Sequence, residues 1–374
     1  ARRHTDLADR MSARTDLSDL FLHRALDWLT DGGRLIALTS EYWLTATGAR
    51  HLRQDLMERS APRWMIRAPD LRLFEDAPGH HSLVARFDRG GPQRRPVTRT
   101  VDAVPESWRR VVDRMEAEAT DAPASTDETR MRFDPVRWTP FISGGVQRWG
   151  RELRGAGTRF DALARDRQGF VSGADRLSTR RYNRLEDPPE DLAAGDPLFL
   201  WKDDELEASP AGDALSGTAG TVLRPVLRGS DLEAGEVIRE PQSETHVLYI
   251  DDVLSSDHRC VVDHLTPVRP VLEARREVRR GRMPWYRLHW PRDRAEQTGP
   301  KLVVPRRARR ATFVLDLSAS AVSSDCTYIV APEGVVDVID YLATLMVALN
   351  RDAVTTYLRA FGKTKGQLVE FYAD

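Results

Sequence analysis

Few residues of this chain stand in the patterns that cofactor binding or catalysis requires. A phosphate-binding turn places glycines between a strand and a helix, so that backbone N–H groups converge on the anion. Asp31-Gly32-Gly33 instead precedes a strand-like run, and Ser143-Gly144-Gly145 has neither the spacing nor an apolar helix after it. In HRCVVDH, His258, Cys260 and His264 stand at offsets of four and six, which share a helix face only in part, and no fourth ligand accompanies them. Ordinary residues of a basic helix are the simpler reading, and no metal is expected. His80-His81 reads as a loop pair. No Gly-x-Ser-x-Gly elbow presents a nucleophile, and Asp203-Asp204-Glu205 beside Lys202 reads as an acidic surface turn. Hydrolase chemistry within these residues is not expected.

Charge is more informative than any motif. The net charge is −1, yet from Arg269 to Arg310 fourteen Lys or Arg stand against four Asp or Glu. That block carries Trp285, Tyr286 and Trp290, the mixture of cations and rings that a nucleic-acid face uses. A solvated Arg-rich surface explains the same composition, and the two tryptophans can simply be core residues holding a loop. Within the block, RRARR at Arg306 to Arg310 is the densest cluster.

The elements that must position these residues fall into two parts. Leu17, Leu20, Phe21, Ala25, Leu26 and Leu29 recur at helical spacing, Gly32-Gly33 ends that helix, and RLIALT (Arg34 to Thr39) predicts a buried strand. Helix, turn and strand together predict half of a parallel α/β unit. A helix over 47–59 and extended runs over 63–68 and 82–87 continue a sheet to about residue 100. A doubly wound sheet opens with a strand, a Gly-rich turn and a helix, and ARRHTDLADR contains none of these, so the first half of such a sheet is expected to be missing. A short helix and linker are read over 106–135. A mixed α+β part follows over 136–374, with strand-like runs at 198–201, 247–250, 301–305 and 312–317 and helices at 257–280 and 335–350. No stretch of about 18 apolar residues and no secretory leader is evident, and with two cysteines and no disulfide framework the cytoplasm is the expected compartment.

Read in order, these segments resemble the TaqI-like adenine DNA methyltransferases, which include single-chain type IIG restriction–modification enzymes and the BREX methyltransferase. DLSDLFLHRALDWLTDGGRLIALTSEYWLTATGARHLRQDL (Asp16 to Leu56) is similar to the helix–strand–helix that follows the catalytic Asn-Pro-Pro-Tyr of that family. LRLFEDAPGHHSLVARF is similar to its strand pair in which a Phe lies against the target base, and by position that Phe is Phe74. A Phe packed between two strands is the alternative. QGFVSGADRLSTRRYN, VLRPVLRGSDLEAG, the stretch from His264 to Arg292, GPKLVVP and LRAFGKTKGQLVEFY follow in the order of the family's C-terminal specificity domain.

The resemblance implies the C-terminal half of a Rossmann-like methyltransferase sheet over 1–105 and a target-recognition domain over 136–374. It implies sequence-specific recognition of double-stranded DNA for adenine-N6 methylation in a restriction–modification or phage-defence system, with S-adenosylmethionine as donor. Phe74 is then the ring that stacks on an adenine rotated out of the duplex. The DNA-binding candidates are Gly173, Arg176, Arg180, Arg181, Arg224, Arg228, Arg282, Arg287, Arg292, Arg306 and Arg307. Gly173 lets a loop approach DNA closely, and the arginines reach phosphates or guanine edges. The chain departs from the family in lacking Asn-Pro-Pro-Tyr, a donor-binding Gly motif and a nuclease segment, and it opens at Ala1. A fragment that is not catalytically competent alone is therefore expected. A piece of a bifunctional restriction endonuclease–methyltransferase and a non-catalytic specificity subunit are the alternatives.

Overall fold

The computed structural model describes residues 15–69, 71, 73–74, 81–90, 96–122, 133–134, 137–218, 222–251, 258–365 and 368–371. The chain divides into two compact units, Ala1–Ala156 with Tyr357–Leu368 and Gly157–Thr356 with Val369–Asp374.

In the first unit, α1 (Leu17–Trp28) starts at Asp16, whose carboxylate accepts the Ser18 N–H at 2.9 Å and so caps the helix. Its Leu22 and Leu26 bury against Leu52 and Leu56 of α2 (Arg50–Arg59), with Trp43, Phe87 and Trp138 completing the core. Arg53 is fully buried, and its Nη1 donates to the carbonyl of Ala46 at 2.9 Å, which fixes the short turn before α2. His23 and Asp55 join the two helices at 2.7 Å. Burial, with Asp16 nearby, pushes the Asp19 carboxyl up to about 6.

Strands β1 (Arg34–Ser40), β2 (Ser60–Ala68), β3 (Ser82–Arg89) and β4 (Val97–Thr100) form a sheet in the order β1-β3-β2-β4. Here the parallel, buried reading of residues 34–39 is corrected. β1 pairs antiparallel with β3, Ala37 opposite Ala85, and β3 is also antiparallel to β2, while β2 and β4 are parallel. β1 is an edge strand with alternating exposure, so one of its faces meets solvent. A run of apolar residues does not reveal its partner, which depends on β3 some 50 residues away. Ile36 and Leu38 are 56% and 49% exposed, and Leu17, Phe21 and Trp28 of α1 are 64%, 68% and 78% exposed. Each of these side chains leaves apolar area to solvent. The unit is completed by α3 (Trp108–Thr120), whose Met115 and Ala119 pack on Trp64 and Ile66, by the short pair β5 (Phe133–Asp134) and β6 (Arg137–Trp138), and by α4 (Gly144–Ala156).

The second unit holds β7 (Arg165–Gln168), β8 (Leu200–Lys202), β9 (Leu223–Leu227), β10 (Val237–Ile238), β11 (Thr245–Leu248), β12 (Lys301–Pro305), β13 (Arg307–Ala308), β14 (Val314–Asp316), β15 (Ala321–Val322) and β16 (Cys326–Val330). Two mixed sheets result, ordered β10-β14-β12-β16-β7 and β15-β9-β11-β8. β12 is buried on both faces: Leu302 and Val304 meet Leu342 and Met346 of α5 (Val338–Leu349), and Val303 meets Val314 and Tyr328. Lys301 is fully buried opposite Asp316 of β14, with Nζ 2.6 Å from the carboxylate.

The continuous helix expected over 257–280 is instead a series of short turns, Arg259–Leu265, Thr266–Val268, Arg269–Glu273 and Arg276–Arg279; residue 257 lies outside the described residues. Pro267 and Pro270 each begin a new turn, since proline has no N–H to carry the helix ladder forward. No described helix is long and apolar enough to cross a membrane.

Candidate nucleic-acid interface

The strand ends of the second unit gather several of the expected residues around one cavity of about 530 Å³. β7, β9 and β15 deliver their carboxyl ends to it, and the loop 169–175, the turn after Arg228 and the turn 323–325 close it. Arg181, Arg228, Gly173, Asp175, Ser172 and Asp325 supply its polar chemistry.

Backbone pairing fixes this arrangement. Phe170 N–H donates to the Val322 carbonyl at 2.8 Å, and Val171 and Trp290 exchange both backbone bonds at 2.9 Å. Gly169 sits where a Cβ would lie 1.9 Å from the Ser323 carbonyl oxygen, so no side chain fits. Gly173 is at φ +78°, in the left-handed region that glycine tolerates, and a Cβ there would lie 2.9 Å from the His289 Cβ. The two turns are stitched together by Asp325, whose Oδ2 accepts the Gly229 N–H at 3.0 Å and whose Oδ1 accepts Ser323 Oγ.

The electrostatics are set from beneath. Arg275 is buried, donating to the carbonyls of Ser172, Trp285 and Leu272. Burial and the neighbouring Arg181 bring its guanidinium down to about 10. Arg181 itself donates to the Gly173 carbonyl at 3.0 Å, which leaves most of its donors for other use. The Arg228 guanidinium makes no hydrogen bond or ion pair among the described residues. The cavity thus combines two available guanidinium groups with a buried cation behind them and carboxylates beside them.

Other candidates lie elsewhere or are committed to the fold. Arg176 grips both oxygens of Glu205, at 2.5 and 2.7 Å, and lines a separate cavity of about 760 Å³ with Trp201 and His264. Arg292 adopts φ +72° and donates to the Gly169 carbonyl at 3.2 Å and to Gln168 Oε1 at 3.1 Å, so it fastens the strand end under the cavity. Arg282 pairs with Glu277 at 3.1 Å and Arg307 with Glu370 at 2.7 Å. Arg224 is partly buried, its charge lowered in pKa by burial and by Arg294. Arg287 and Arg306 are half-buried, and Arg306 N–H donates to the Asp325 carbonyl at 2.7 Å. Arg180 is exposed, without a partner among the described residues. In the first unit Phe74 is 49% exposed, in the connection between β2 and β3, and belongs to no packed cluster there.

Asp175, Ser172 and Asp325 in the cavity wall, and buried Arg275 beneath it, are residues that sequence reading passes over. Ser172 and Asp175 lie within QGFVSGADRLSTRRYN and Arg275 within the stretch from His264 to Arg292, where six arginines between 275 and 287 look alike until burial sorts them. Among the described residues no group of three or more His, Cys, Asp or Glu can hold a metal. Ser143-Gly144-Gly145 does open a helix, α4, where the sequence predicts none that is apolar; α4 is largely polar, and Ser143 Oγ accepts the Val146 N–H at 3.4 Å.

No family model matches this chain, and no curated protein matches it. Its fold is similar to that of one solved restriction–modification enzyme of type IIL. The type IIL enzyme MmeI, solved in complex with DNA, aligns with 96% of this chain at 10% identity and a TM-score of 0.58. The type IIG endonuclease BpuSI aligns with 96% at 13% identity and a TM-score of 0.35, and DrdV, solved as a DNA complex, with 95% at 11% identity and a TM-score of 0.38. The chain spans 40% of the length of MmeI, and at 10% identity the likeness is one of fold.

Proposed function

We propose that this chain recognises double-stranded DNA as part of an S-adenosylmethionine-dependent adenine-N6 methyltransferase of a restriction–modification or phage-defence system. The observation that carries the reading is the cavity of the second unit, where Arg228 and Arg181 stand over buried Arg275 at converging strand ends. A protein surface of this kind attracts the phosphate backbone from a distance and offers fork-shaped donors at short range. The fold shared with MmeI, itself solved on DNA, supports the same reading. Exposed Arg180 adds a phosphate contact beside the cavity. Arg176, Arg292, Arg282 and Arg307, already paired, act by holding the loops in place.

The first unit is then a segment of the methyltransferase sheet, in line with the open edge of β1 and the uncovered Leu17, Phe21, Trp28, Ile36 and Leu38. Phe74, half exposed, is available to stack on an extruded adenine. The described residues do not fit the methyl donor: α4, which opens on Gly144-Gly145, has its Val146 N–H already bonded to Ser143 Oγ, and Gly229 opens only a three-residue turn. Donor binding and methyl transfer therefore fall to residues outside those described.

The test is fluorescence anisotropy of the purified chain with a mixed-sequence duplex across a salt series, with a single strand as control. Duplex binding is expected to weaken with salt with a log–log slope of about −3 or steeper, the signature of several neutralised phosphates. Absence of duplex binding at low salt, or binding indifferent to salt, contradicts the proposal.

A further inference from the structure

We propose that the cavity of the second unit reads a G·C base pair in the major groove, with Arg228 on the guanine and Asp175 on the cytosine. The inference rests on the DNA-binding reading and adds to it what that cavity recognises.

Two features point to a base edge rather than a phosphate. Arg228 carries a fork of donors with no partner among the described residues, and its backbone N–H is held by Asp231 at 2.9 Å, so its stem is anchored while its head is free. In the same cavity Asp175 has one carboxylate oxygen occupied by Ser172 Oγ and the other without a hydrogen bond among the described residues. Asp325 is different: Gly229 and Ser323 take one oxygen each, and it serves as scaffold. The cavity therefore displays a bidentate donor and a free anionic acceptor together.

A phosphate offers acceptors alone and is repelled by the Asp175 carboxylate. Guanine presents two acceptors, O6 and N7, to a guanidinium, and its partner cytosine presents the N4 amino donor to a carboxylate. An A·T pair places an amino donor on the adenine where the guanidinium needs an acceptor. Gly169 and Gly173, where a Cβ would meet the Ser323 oxygen at 1.9 Å and the His289 Cβ at 2.9 Å, let the loop pack closely on its neighbours and so fix Asp175 in the cavity wall.

The experiment is selection of a randomised duplex pool on the whole chain, followed by sequencing of the retained fraction. It is run for the parent chain and for Arg228→Ala, Arg228→Lys and Asp175→Ala, each checked by thermal unfolding. The parent is expected to enrich a motif containing an invariant G·C pair. Arg228→Ala and Arg228→Lys are expected to lose about 5- to 100-fold of the preference at that pair, leaving the other positions of the motif as they were. Asp175→Ala is expected to relax the same pair.

Weaker binding to all sequences in Arg228→Ala, with a salt slope reduced by about one and restored by Arg228→Lys, identifies a phosphate contact and overturns the inference. Duplex binding by the parent without an enriched G·C pair also overturns it while the DNA-binding reading stands. Failure of the parent to bind duplex at all removes both. Should Arg228→Ala not fold, Arg228→Lys decides alone, because it keeps the charge and loses the fork.

Discussion

Replacing Lys301 by Met, with Asp316 left in place, is expected to destabilise the second unit by about 3–5 kcal/mol. The pair sits in the middle of the five-stranded sheet, both side chains without solvent exposure and 2.6 Å apart. Asp316 also accepts the Ser318 N–H at 2.9 Å, and Lys301 Nζ reaches the Gly299 carbonyl at 3.4 Å. Burial lowers the Lys301 pKa against the opposing pull of the carboxylate. Removal of the ammonium strands a carboxylate in a site lined by Val303, Val314 and Tyr328, where a lone charge is costly. Asp316→Leu alone strands the ammonium and is expected to cost a similar amount. The double variant Lys301→Met/Asp316→Leu removes both charges and is expected to lie within about 1–2 kcal/mol of the parent, because a buried pair offsets little more than its own desolvation. Thermal unfolding followed by circular dichroism separates these cases, with the single variants lowered by about 10 °C. Single variants as stable as the parent would show that water reaches the pair.

Gly169→Ala is expected to cost at least about 3 kcal/mol and to abolish duplex binding, beyond the usual range for an added methyl. Its Cβ would stand 1.9 Å from the Ser323 oxygen, 2.4 Å from the Ser323 carbonyl carbon and 2.5 Å from the Val322 oxygen. All three are backbone atoms, so no rotamer relieves the contact. The bond from Phe170 N–H to Val322 must open, and that bond joins the floor of the cavity to β15. Gly173→Ala meets a side-chain atom at 2.9 Å and a left-handed backbone, and is expected to cost about 1–2 kcal/mol while leaving the strands joined. Anisotropy and thermal unfolding on the two variants test the ranking; a folded Gly169→Ala chain that binds duplex like the parent would place the DNA elsewhere.

How much of this could be read from sequence depends on the range of the interaction. α1, β1, β2, β3 and α5 fall within a few residues of their expected bounds, because an amphipathic helix or an apolar strand writes its period locally. The direction of β1 was not legible, since it depends on pairing with β3, and neither was the breakage of the basic segment, where Pro267 and Pro270 outweigh an even run of helix formers. Arg53 and Lys301 are fully buried although their residue types are read as surface. Of the expected DNA contacts, Gly173, Arg181 and Arg228 line one cavity, because three strands end there. Arg176 and Arg307 share their sequence setting with these but are bound by Glu205 and Glu370, carboxylates that lie 29 and 63 residues away.

If DNA is held at the strand ends of the second unit, hydrogen–deuterium exchange of the chain with and without a duplex registers it at those strand ends. Duplex binding is expected to slow exchange in the segments 169–175, 228–231 and 323–325, with β12 unchanged. Unaltered exchange in all three segments, with protection falling on other parts of the chain, would contradict it.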